Sequence, residues 1–255
     1  MPVVFAALVP NSPLLLPGIN TEVKKDLSKT LAGYNKLARI LKSAKVEIIF
    51  NISSLINSDN DYYLYQDKTF VVETKEYGDL LTQYQANGAI WFTHSLKEFI
   101  EPQFKIPLHT PERLPIEQAI PLINLNVREG LSCLVIPQFP SASVTINLSK
   151  MIADYFNGLQ ARIAILASGV LARGKSSYFG DNQKILSNIF FKTIKQGEYD
   201  NLNNIDMKLR VKVQESLIAP ASFIYNLIPS HQAKTSIIAL EFTHGINHLL
   251  ANISW

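Results

Sequence analysis

Residues 3–52, VVFAALVPNSPLLLPGINTEVKKDLSKTLAGYNKLARILKSAKVEIIFNI, decide the fold class. The stretch opens with an uninterrupted apolar run at Val3–Val9 and closes with a second apolar run at residues 46–52. Between them, apolar residues recur every three or four positions over residues 23–41, which predicts a helix with Asn20 as its N-cap. A strand, a helix and a strand form a βαβ unit, which implies parallel pairing and a right-handed crossover.

The same alternation of short apolar runs and helical periodicity continues to the end of the chain. The polar residues 53–66 and the proline-rich residues 101–120 are predicted to be loops. We therefore predict a single α/β domain over residues 1–255, a three-layer α/β/α sandwich around a mostly parallel mixed sheet. The further predicted strands are residues 69–73, 131–136, 161–167, 236–242 and 246–253, and the further predicted helices are residues 89–100, 148–156, 181–195, 203–217 and 220–227.

Composition excludes several classes of protein. The chain is 47% hydrophobic and 18% charged, with a net charge of +3 and no cluster of Lys and Arg, so we expect no nucleic-acid partner. No apolar run reaches the roughly 20 residues of a membrane span, and the N-terminus lacks a basic signal region, so we expect a cytoplasmic protein without membrane contact. The single cysteine, Cys133, excludes an internal disulfide and is expected to be a buried thiol.

Four local motifs occur in an order and at strand ends that resemble one family. They read Val9-Pro10-Asn11-Ser12-Pro13, Ile52-Ser53-Ser54-Leu55, Ser168-Gly169-Val170-Leu171-Ala172-Arg173 and Leu240-Glu241-Phe242-Thr243-His244-Gly245. Together they resemble the motifs of the class III extradiol dioxygenase (LigB-like) family and its Memo-type relatives. The resemblance spans nearly the whole chain, with a poor match over residues 60–130. It implies a LigB-like fold around a cleft.

The resemblance also implies a changed metal site. In the family, two histidines and a glutamate bind Fe(II), and these positions correspond here to Asn11, Leu55 and Glu241. A further family histidine with an acid/base role corresponds to Arg173, and the aspartate of the same motif corresponds to Val170. Leucine has no donor atom and an amide oxygen is a poor ligand for Fe(II) beside imidazole, so we expect the iron site to be lost and no cofactor to be bound.

A cleft without iron favours a non-catalytic or repurposed protein that binds a small polar or anionic ligand or a protein partner. Arg173 suits a carboxylate or phosphate group. Self-association into a homo-oligomer is left open. The candidate pocket residues are Asn11, Ser54, Leu55, Ser168, Arg173 and Glu241.

Two other functions stay open at this point. The first is an active Fe(II)-dependent extradiol dioxygenase whose ligands come from His231, His244 or Glu241. His244 and His248 are not expected to share an ion, because residues four apart on a strand are separated by about 13 Å. The second is nucleotide binding, because residues 169–176 match the phosphate-loop pattern G-x-x-x-x-G-K-S, although the next helix is predicted to begin only near Asp181.

Overall fold

The structure is a computed structural model that describes residues 2–19, 21–54, 62–80, 82–128, 130–174, 180–229 and 232–255, without the side chain of residue 21. The strands are β1 (Val3–Val9), β2 (Ile48–Ser54), β3 (Tyr63–Tyr65), β4 (Thr69–Val72), β5 (Tyr84–Asn87), β6 (Leu108–His109), β7 (Leu131–Ile136), β8 (Ile163–Ser168), β9 (Ala172–Arg173), β10 (Lys234–Thr243) and β11 (Ile246–Ser254). The helices are α1 (Thr21–Asp26), α2 (Ser28–Ser43), α3 (Ile90–Ile100), α4 (Ile116–Leu125), α5 (Ala142–Asn157), α6 (Asp181–Gln196), α7 (Met207–Lys212) and α8 (Ile218–Leu227), with 3₁₀ turns at Pro13–Leu15, Lys75–Tyr77 and Tyr199–Asn204.

A large mixed sheet organises the described residues. Its strand order is β10-β11-β1-β8-β2-β7-β3-β6, and β9 pairs with β11 beside this path. The central strands β1, β8, β2 and β7 run parallel to one another, while β11 runs antiparallel to β1, β9 and β10. Strands β4 and β5 form a separate antiparallel pair. The predicted α/β fold with a mixed sheet is confirmed.

The first predicted βαβ unit exists, but its two strands are not neighbours. Strand β8 lies between β1 and β2 and is parallel to both. The register places Val9 of β1 and Ser53 of β2 opposite Ser168 of β8, so the three strands end at one level. Carboxyl ends of parallel strands that meet in this way form the edge at which open α/β sheets bind ligands.

Helices cover both faces of the sheet, as the predicted three layers require. Alternating strand residues such as Leu8 and Phe50 pack with α3, α5, α6 and α8 on one face. The intervening residues such as Val9 and Ile49 pack with α2 and α4 on the other face, together with β4 and β5. Full burial of an aliphatic or aromatic side chain contributes about 1.5–3 kcal/mol, so these two cores provide most of the stabilisation.

Two predicted helices differ from the structure. The helix predicted over residues 23–41 is divided at Leu27, whose φ of −110° and ψ of 16° are not helical, because its side chain is fully buried beneath the junction of α1 and α2. The helix predicted over residues 203–217 is replaced by the 3₁₀ turn Tyr199–Asn204 and the short α7. Asn20, the predicted N-cap, lies outside the described residues.

Two predicted loops contain regular structure. Within residues 53–66, the short strand β3 pairs with β7. Within residues 101–120, α4 begins at Ile116 and buries most of its length, although it contains Pro121. Prolines suggested an irregular surface segment here, but Pro115 lies immediately before the helix, where a missing backbone N–H costs nothing, and tertiary packing tolerates Pro121. This helix matters for the site because its first turn lies at the carboxyl end of β2.

Candidate functional site

The candidate site lies where β11 exchanges one neighbouring strand for another. Strand β1 pairs with β11 as far as Leu8, which is opposite Ala251. Further along β11, Arg173 of β9 is opposite Ile246, and Ala172 is opposite Asn247. Strand β10 occupies the other edge of β11 along its whole length, so β9 takes the place of β1. His248 lies on β11 between these two pairings.

Strand geometry brings two polar side chains together at this point. Arg173 is opposite Ile246, and His248 lies two residues further along β11, so both side chains project from one face as diagonal neighbours. Asn11 follows the carboxyl end of β1, two residues after Val9. We call Asn11, Arg173 and His248 the carboxyl-edge cluster.

All three members bury polar atoms that lack a hydrogen-bond partner in the described part of the chain. Asn11 is 1% exposed with an unpaired Oδ1, and His248 is 0% exposed with ring nitrogens that lie near the backbone of Glu241 and Ile246 but make no hydrogen bond of good geometry in the described part of the chain. The guanidinium of Arg173 buries Nε and Nη2 in the same condition. Each unsatisfied buried group costs about 1–3 kcal/mol, and charged groups cost more, so the cluster is the kind of arrangement that a bound molecule would complete.

Burial and one neighbouring charge act on the pKa of Arg173. Burial lowers the pKa of Arg173, while the negative charge of Glu117 in the first turn of α4 acts in the opposite direction. An arginine keeps its proton in proteins, so Arg173 is a cation. Both residues are described, and no ion pair within 4.0 Å joins them. Among the described residues, the guanidinium therefore has a distant counter-charge but no direct carboxylate contact.

His248 is neutral at physiological pH. Burial lowers its pKa to about 4, and hydrogen bonding of the ring to the backbone of Glu241 and Ile246, together with the charge of Glu241, only partly opposes that shift. The positive charge of Arg173 lowers the pKa further. A neutral imidazole has one donor nitrogen and one acceptor nitrogen, so His248 offers both kinds of hydrogen bond to a neighbour.

Glu241 is already engaged elsewhere. It is the partner of His248 across the β10–β11 hairpin, but its carboxylate oxygens accept hydrogen bonds from the first turn of α2. Oε1 accepts from the backbone N–H of Lys29 at 3.1 Å and Oε2 accepts from that of Thr30 at 2.7 Å. A carboxylate at a helix N-terminus is favoured by the helix dipole as well as by these bonds. Glu241 thus acts as a helix cap supplied by a distant strand.

The serine candidates have separate environments. Ser168 lies at the shared end of β8 and donates to the carbonyl oxygen of Ile52 at 3.4 Å. Ser54 is buried with an unpaired Oγ among the described residues, but strand alternation directs it to the face opposite to that of its neighbour Ser53, which accepts a bond from Gln118 of α4. Leu55 lies outside the described residues.

The donor set at the family positions does not fit a ferrous ion. Asn11 presents a neutral amide oxygen, and the carboxylate of Glu241 is committed to the amides of α2. Of the alternative ligands, His244 is an exposed residue of the β10–β11 turn with φ of 47°, and His231 lies outside the described residues. Over the residues that the structure describes, no group of three or more His, Cys, Asp or Glu side chains is arranged to hold a metal ion.

The phosphate-loop pattern has an internal hydrogen-bonding explanation. The amide of Gly169 donates to the carbonyl of Val9, and the amide of Val170 donates to Oγ of Ser216. The amides of Arg173 and Gly174 also donate to backbone carbonyls. A phosphate loop needs such amides free to surround the phosphates, so these four amides are not available for that purpose. Lys175 and Ser176 lie outside the described residues.

Sequence reasoning overlooked the importance of His248. His248 is too far from His244 along the strand to share a ligand with it. The hairpin turn at residues 244–245 nevertheless places Glu241 directly opposite His248. The two apolar runs on either side of Gly245 contained that signal, since a tight hairpin pairs residues symmetrically about its turn. The neutral, buried character of His248 depends on packing and was not visible in the pattern.

Comparisons with known proteins identify the fold and name no function. No protein-family model matches the chain, and no curated protein matches it. A solved structure with the same fold is that of the uncharacterized protein JW3007 from Escherichia coli K12, with a TM-score of 0.64 over 98% of this chain and 99% of that chain, at 14% sequence identity. None of the described helices is both long enough and apolar enough to cross a membrane. The chain therefore shares its overall fold with this protein.

Proposed function

We propose that this chain is a LigB-like protein that has lost the Fe(II) site and binds a small anionic ligand at the carboxyl edge of its sheet. The ligand's negative group contacts Arg173. One observation carries the proposal: Arg173 buries two guanidinium nitrogens that have no hydrogen-bond partner among the described residues. A partly buried cation with two buried, unpaired nitrogens is costly, and a bound carboxylate or phosphate would supply both the missing charge and the missing acceptors.

The position of Arg173 supports a binding role. Open α/β sheets bind ligands beyond the carboxyl ends of their strands, where the connectivity of neighbouring strands changes. Arg173 lies on the strand that replaces β1 next to β11, close to the ends of β1 and β8. A planar guanidinium suits a carboxylate or phosphate because its N–H groups can bond two oxygens of one group.

The same residues argue against ring cleavage. An extradiol dioxygenase of this family needs iron ligands, and the chain offers an amide, a leucine and a carboxylate that caps α2. The histidine with the acid/base role in the family corresponds to Arg173, which cannot exchange a proton near neutral pH. The proposal therefore assigns recognition, and no oxygen chemistry, to the cleft.

A binding measurement with a matched control tests the proposal. Calorimetric titrations with succinate, phenylacetate and inorganic phosphate are carried out on the wild type, on Arg173→Gln and on Arg39→Gln, a control on the outer surface of α2. We expect at least one of these anions to bind the wild type and Arg39→Gln with equal affinity, and to lose at least tenfold with Arg173→Gln.

Two results would overturn the proposal. The first is the absence of binding of all three anions to the wild type. The second is a purified protein that holds stoichiometric Fe(II) and cleaves a catechol ring, which would establish the active dioxygenase instead.

A further inference from the structure

The outer edge of the main sheet is uncovered along the first part of β10. Strand β10 is the terminal strand of the sheet, and β11 is its only paired strand among the described residues. In the described part of the chain, the backbone of residues 234–240 forms no backbone hydrogen bond with any segment other than β11. Because an antiparallel strand directs its backbone groups alternately to its two sides, about half of these residues present an N–H and a C=O outward.

A groove of about 550 Å³ lies beside this edge, between the end of α6 and the beginning of β10. Its apolar walls are formed by Phe191, Ile194, Tyr199 and Ile237. Ile237 is 49% exposed, and it is opposite Ala251, which belongs to the core that α6 covers. Residues directly opposite each other project from one face, so the side chain of Ile237 lies on the α6 side of the sheet.

Aromatic residues fix the shape of the groove. The ring of Tyr199 stacks on that of Tyr225, with 3.9 Å between the ring centres and 10° between the ring planes. Oη of Tyr199 donates to the carbonyl oxygen of Ala233 at 2.8 Å, and Oη of Tyr225 shares a hydrogen bond with Oγ1 of Thr235. A bound segment therefore meets walls that are already ordered, which lowers the entropic cost of binding.

Both charged residues that line the groove are lysines, Lys195 and Lys234. Neither forms an ion pair within 4.0 Å with any described carboxylate. Glu198, three residues after Lys195, accepts a hydrogen bond from Nδ2 of Asn201 at 3.0 Å instead. The groove therefore suits an apolar group that has carboxylates beside it.

A second copy of the chain does not match this edge. The charged side chains of β10 are Lys234 and Glu241, and the carboxylate of Glu241 caps α2. Two copies paired through β10 would bring their lysines together without an acidic complement. The register shift between Ile237 and Ala239 also interrupts regular pairing, a feature that edge strands use against self-association.

We propose that this edge and groove bind an extended acidic segment of a partner protein. The backbone of the segment pairs with the first residues of β10, before the register shift, and extends the sheet by one strand. An apolar side chain of the segment enters the groove against Phe191 and Ile237, and carboxylates on either side of it contact Lys195 and Lys234.

This site is separate from the proposed anion site. Arg173 and Thr243 are both opposite Ile246, so Arg173 lies at the level of the far end of β10. Thr235, which lines the groove, is eight positions before Thr243, or about 26 Å along an extended strand. The two proposals can therefore fail independently.

Labelled peptides test the proposal by fluorescence anisotropy. The probe is the peptide Glu-Glu-Ile-Glu-Ile-Glu-Glu, compared with the same peptide in which lysine replaces every glutamate. We expect the acidic peptide to bind at least tenfold more tightly than the basic one, because both charged groups of the groove are lysines.

Two N-methylated forms of the acidic peptide test the strand pairing. One is methylated at the two isoleucines, and the other at the glutamate before each isoleucine, so each form loses the N–H donors of one edge only. Since one edge of the added strand faces β10, one form should lose at least tenfold in affinity while the other binds like the parent peptide.

Charge reversals locate the site on the protein. Lys195→Glu and Lys234→Glu change exposed side chains, so they should leave the fold intact and weaken the acidic peptide by about fivefold or more each. Lys192→Glu, an exposed residue of α6 outside the groove lining, is the matched control and should retain the wild-type affinity within about twofold.

Three results would overturn the proposal. The first is that the acidic peptide does not bind, or binds no better than the basic one. The second is that both N-methylated forms bind like the parent, which would exclude pairing with β10. The third is a dimer in sedimentation velocity that Ile237→Lys dissociates, which would show that a second copy occupies the edge.

Discussion

Arg210, which is buried, and Arg173, which is partly buried, have opposite environments. Arg210 is 5% exposed, and its Nε donates to Oε2 of Glu215 at 2.7 Å while Nη2 donates to the carbonyl oxygen of Gln138 at 3.0 Å. Its guanidinium also lies over the ring of Phe139, 5.0 Å from the ring centre. Arg173 has neither a carboxylate contact nor a hydrogen bond from Nε or Nη2 within the described residues.

The contrast distinguishes Arg210, whose role is structural, from Arg173, which we propose binds a ligand. Glu215 is fully buried, and besides Arg210 it accepts from the backbone amide of Ile218 at the start of α8, so the pair holds together the segment that joins α7 to α8. In the part of the chain that the structure describes, no such partner completes Arg173. A protein that retains an unpaired buried charge loses stability unless another molecule completes the site, which is how binding sites commonly differ from cores.

The largest expected effect concerns the ion pair between Arg210 and Glu215. Glu215→Gln keeps the size of the side chain but leaves the charge of Arg210 buried without a counter-ion, so we expect a loss of about 3–5 kcal/mol in the free energy of unfolding. Urea denaturation followed by circular dichroism measures it. The exposed Glu112→Gln serves as the control and is expected to stay within about 0.5 kcal/mol of the wild type. A loss below about 1 kcal/mol would remove the contrast between the two arginines.

The second effect is a dependence of stability on pH that arises at His248. Its pKa in the folded protein is about 4, against about 6.5 when unfolded, so the unfolded chain takes up a proton first. Stability is therefore retained above pH 6.5 and lost as the pH falls from 6.5 towards 4. The loss between pH 7 and pH 5 is expected to be about 2 kcal/mol.

His248→Phe isolates this contribution, because its unfolding free energy should fall less than that of the wild type over the same pH interval. The exposed His244→Gln is the matched control and should retain the wild-type dependence. Parallel curves for the wild type and His248→Phe would show that His248 titrates normally in the folded state. That result would remove the neutral imidazole from the carboxyl-edge cluster.

The third effect is a change in the free energy of unfolding that has opposite signs for substitutions of Arg173 and Arg210. Arg173→Met removes a partly buried charge with two unpaired nitrogens and keeps much of the side-chain volume, so we expect the free protein to gain about 1 kcal/mol of stability. Arg210→Met leaves Glu215 buried and unpaired and is expected to destabilise. Denaturation curves of both variants, measured without added anions, decide the comparison. A destabilised Arg173→Met would show that Arg173 has a structural role like that of Arg210.

The sequence allowed the centre of the sheet to be predicted, because its strands are buried on both faces. Runs such as Val3–Val9 and Leu131–Ile136 are apolar without alternation, which is the pattern of parallel strands between two helical layers. The insertion of β8 between β1 and β2 was not predictable from local patterns, since it depends on pairing between segments far apart in the chain. Helix α4 was hidden by Pro115 and Pro121, whose local signal favours a loop.

The residues of the candidate site were likewise only partly predictable from the sequence. Asn11 and Arg173 were selected because they stand at strand ends within recognisable motifs, and in the structure Asn11 follows the end of β1 while Arg173 lies on β9. His248 was missed because its significance depends on pairing across a hairpin and on the exclusion of water. The bond of Glu241 to the start of α2 joins residues more than 200 positions apart. No local pattern records a contact of that kind.

The smallest expected effect concerns Glu241. A substitution there distinguishes a carboxylate that caps α2 from one that binds a metal ion. Glu241→Gln keeps one oxygen for the amides of Lys29 or Thr30 but removes the charge that the α2 dipole favours, so we expect a loss of about 0.5–1 kcal/mol. Thermal and urea denaturation measure it, with anion affinity as a parallel readout. Because the carboxylate contacts α2 and not the guanidinium of Arg173, the anion affinity should stay within about twofold of that of the wild type. Loss of binding with unchanged stability would instead indicate that the Glu241 carboxylate contacts the ligand. Glu241 would then belong with Arg173 among the binding residues and not among the residues that stabilise the fold.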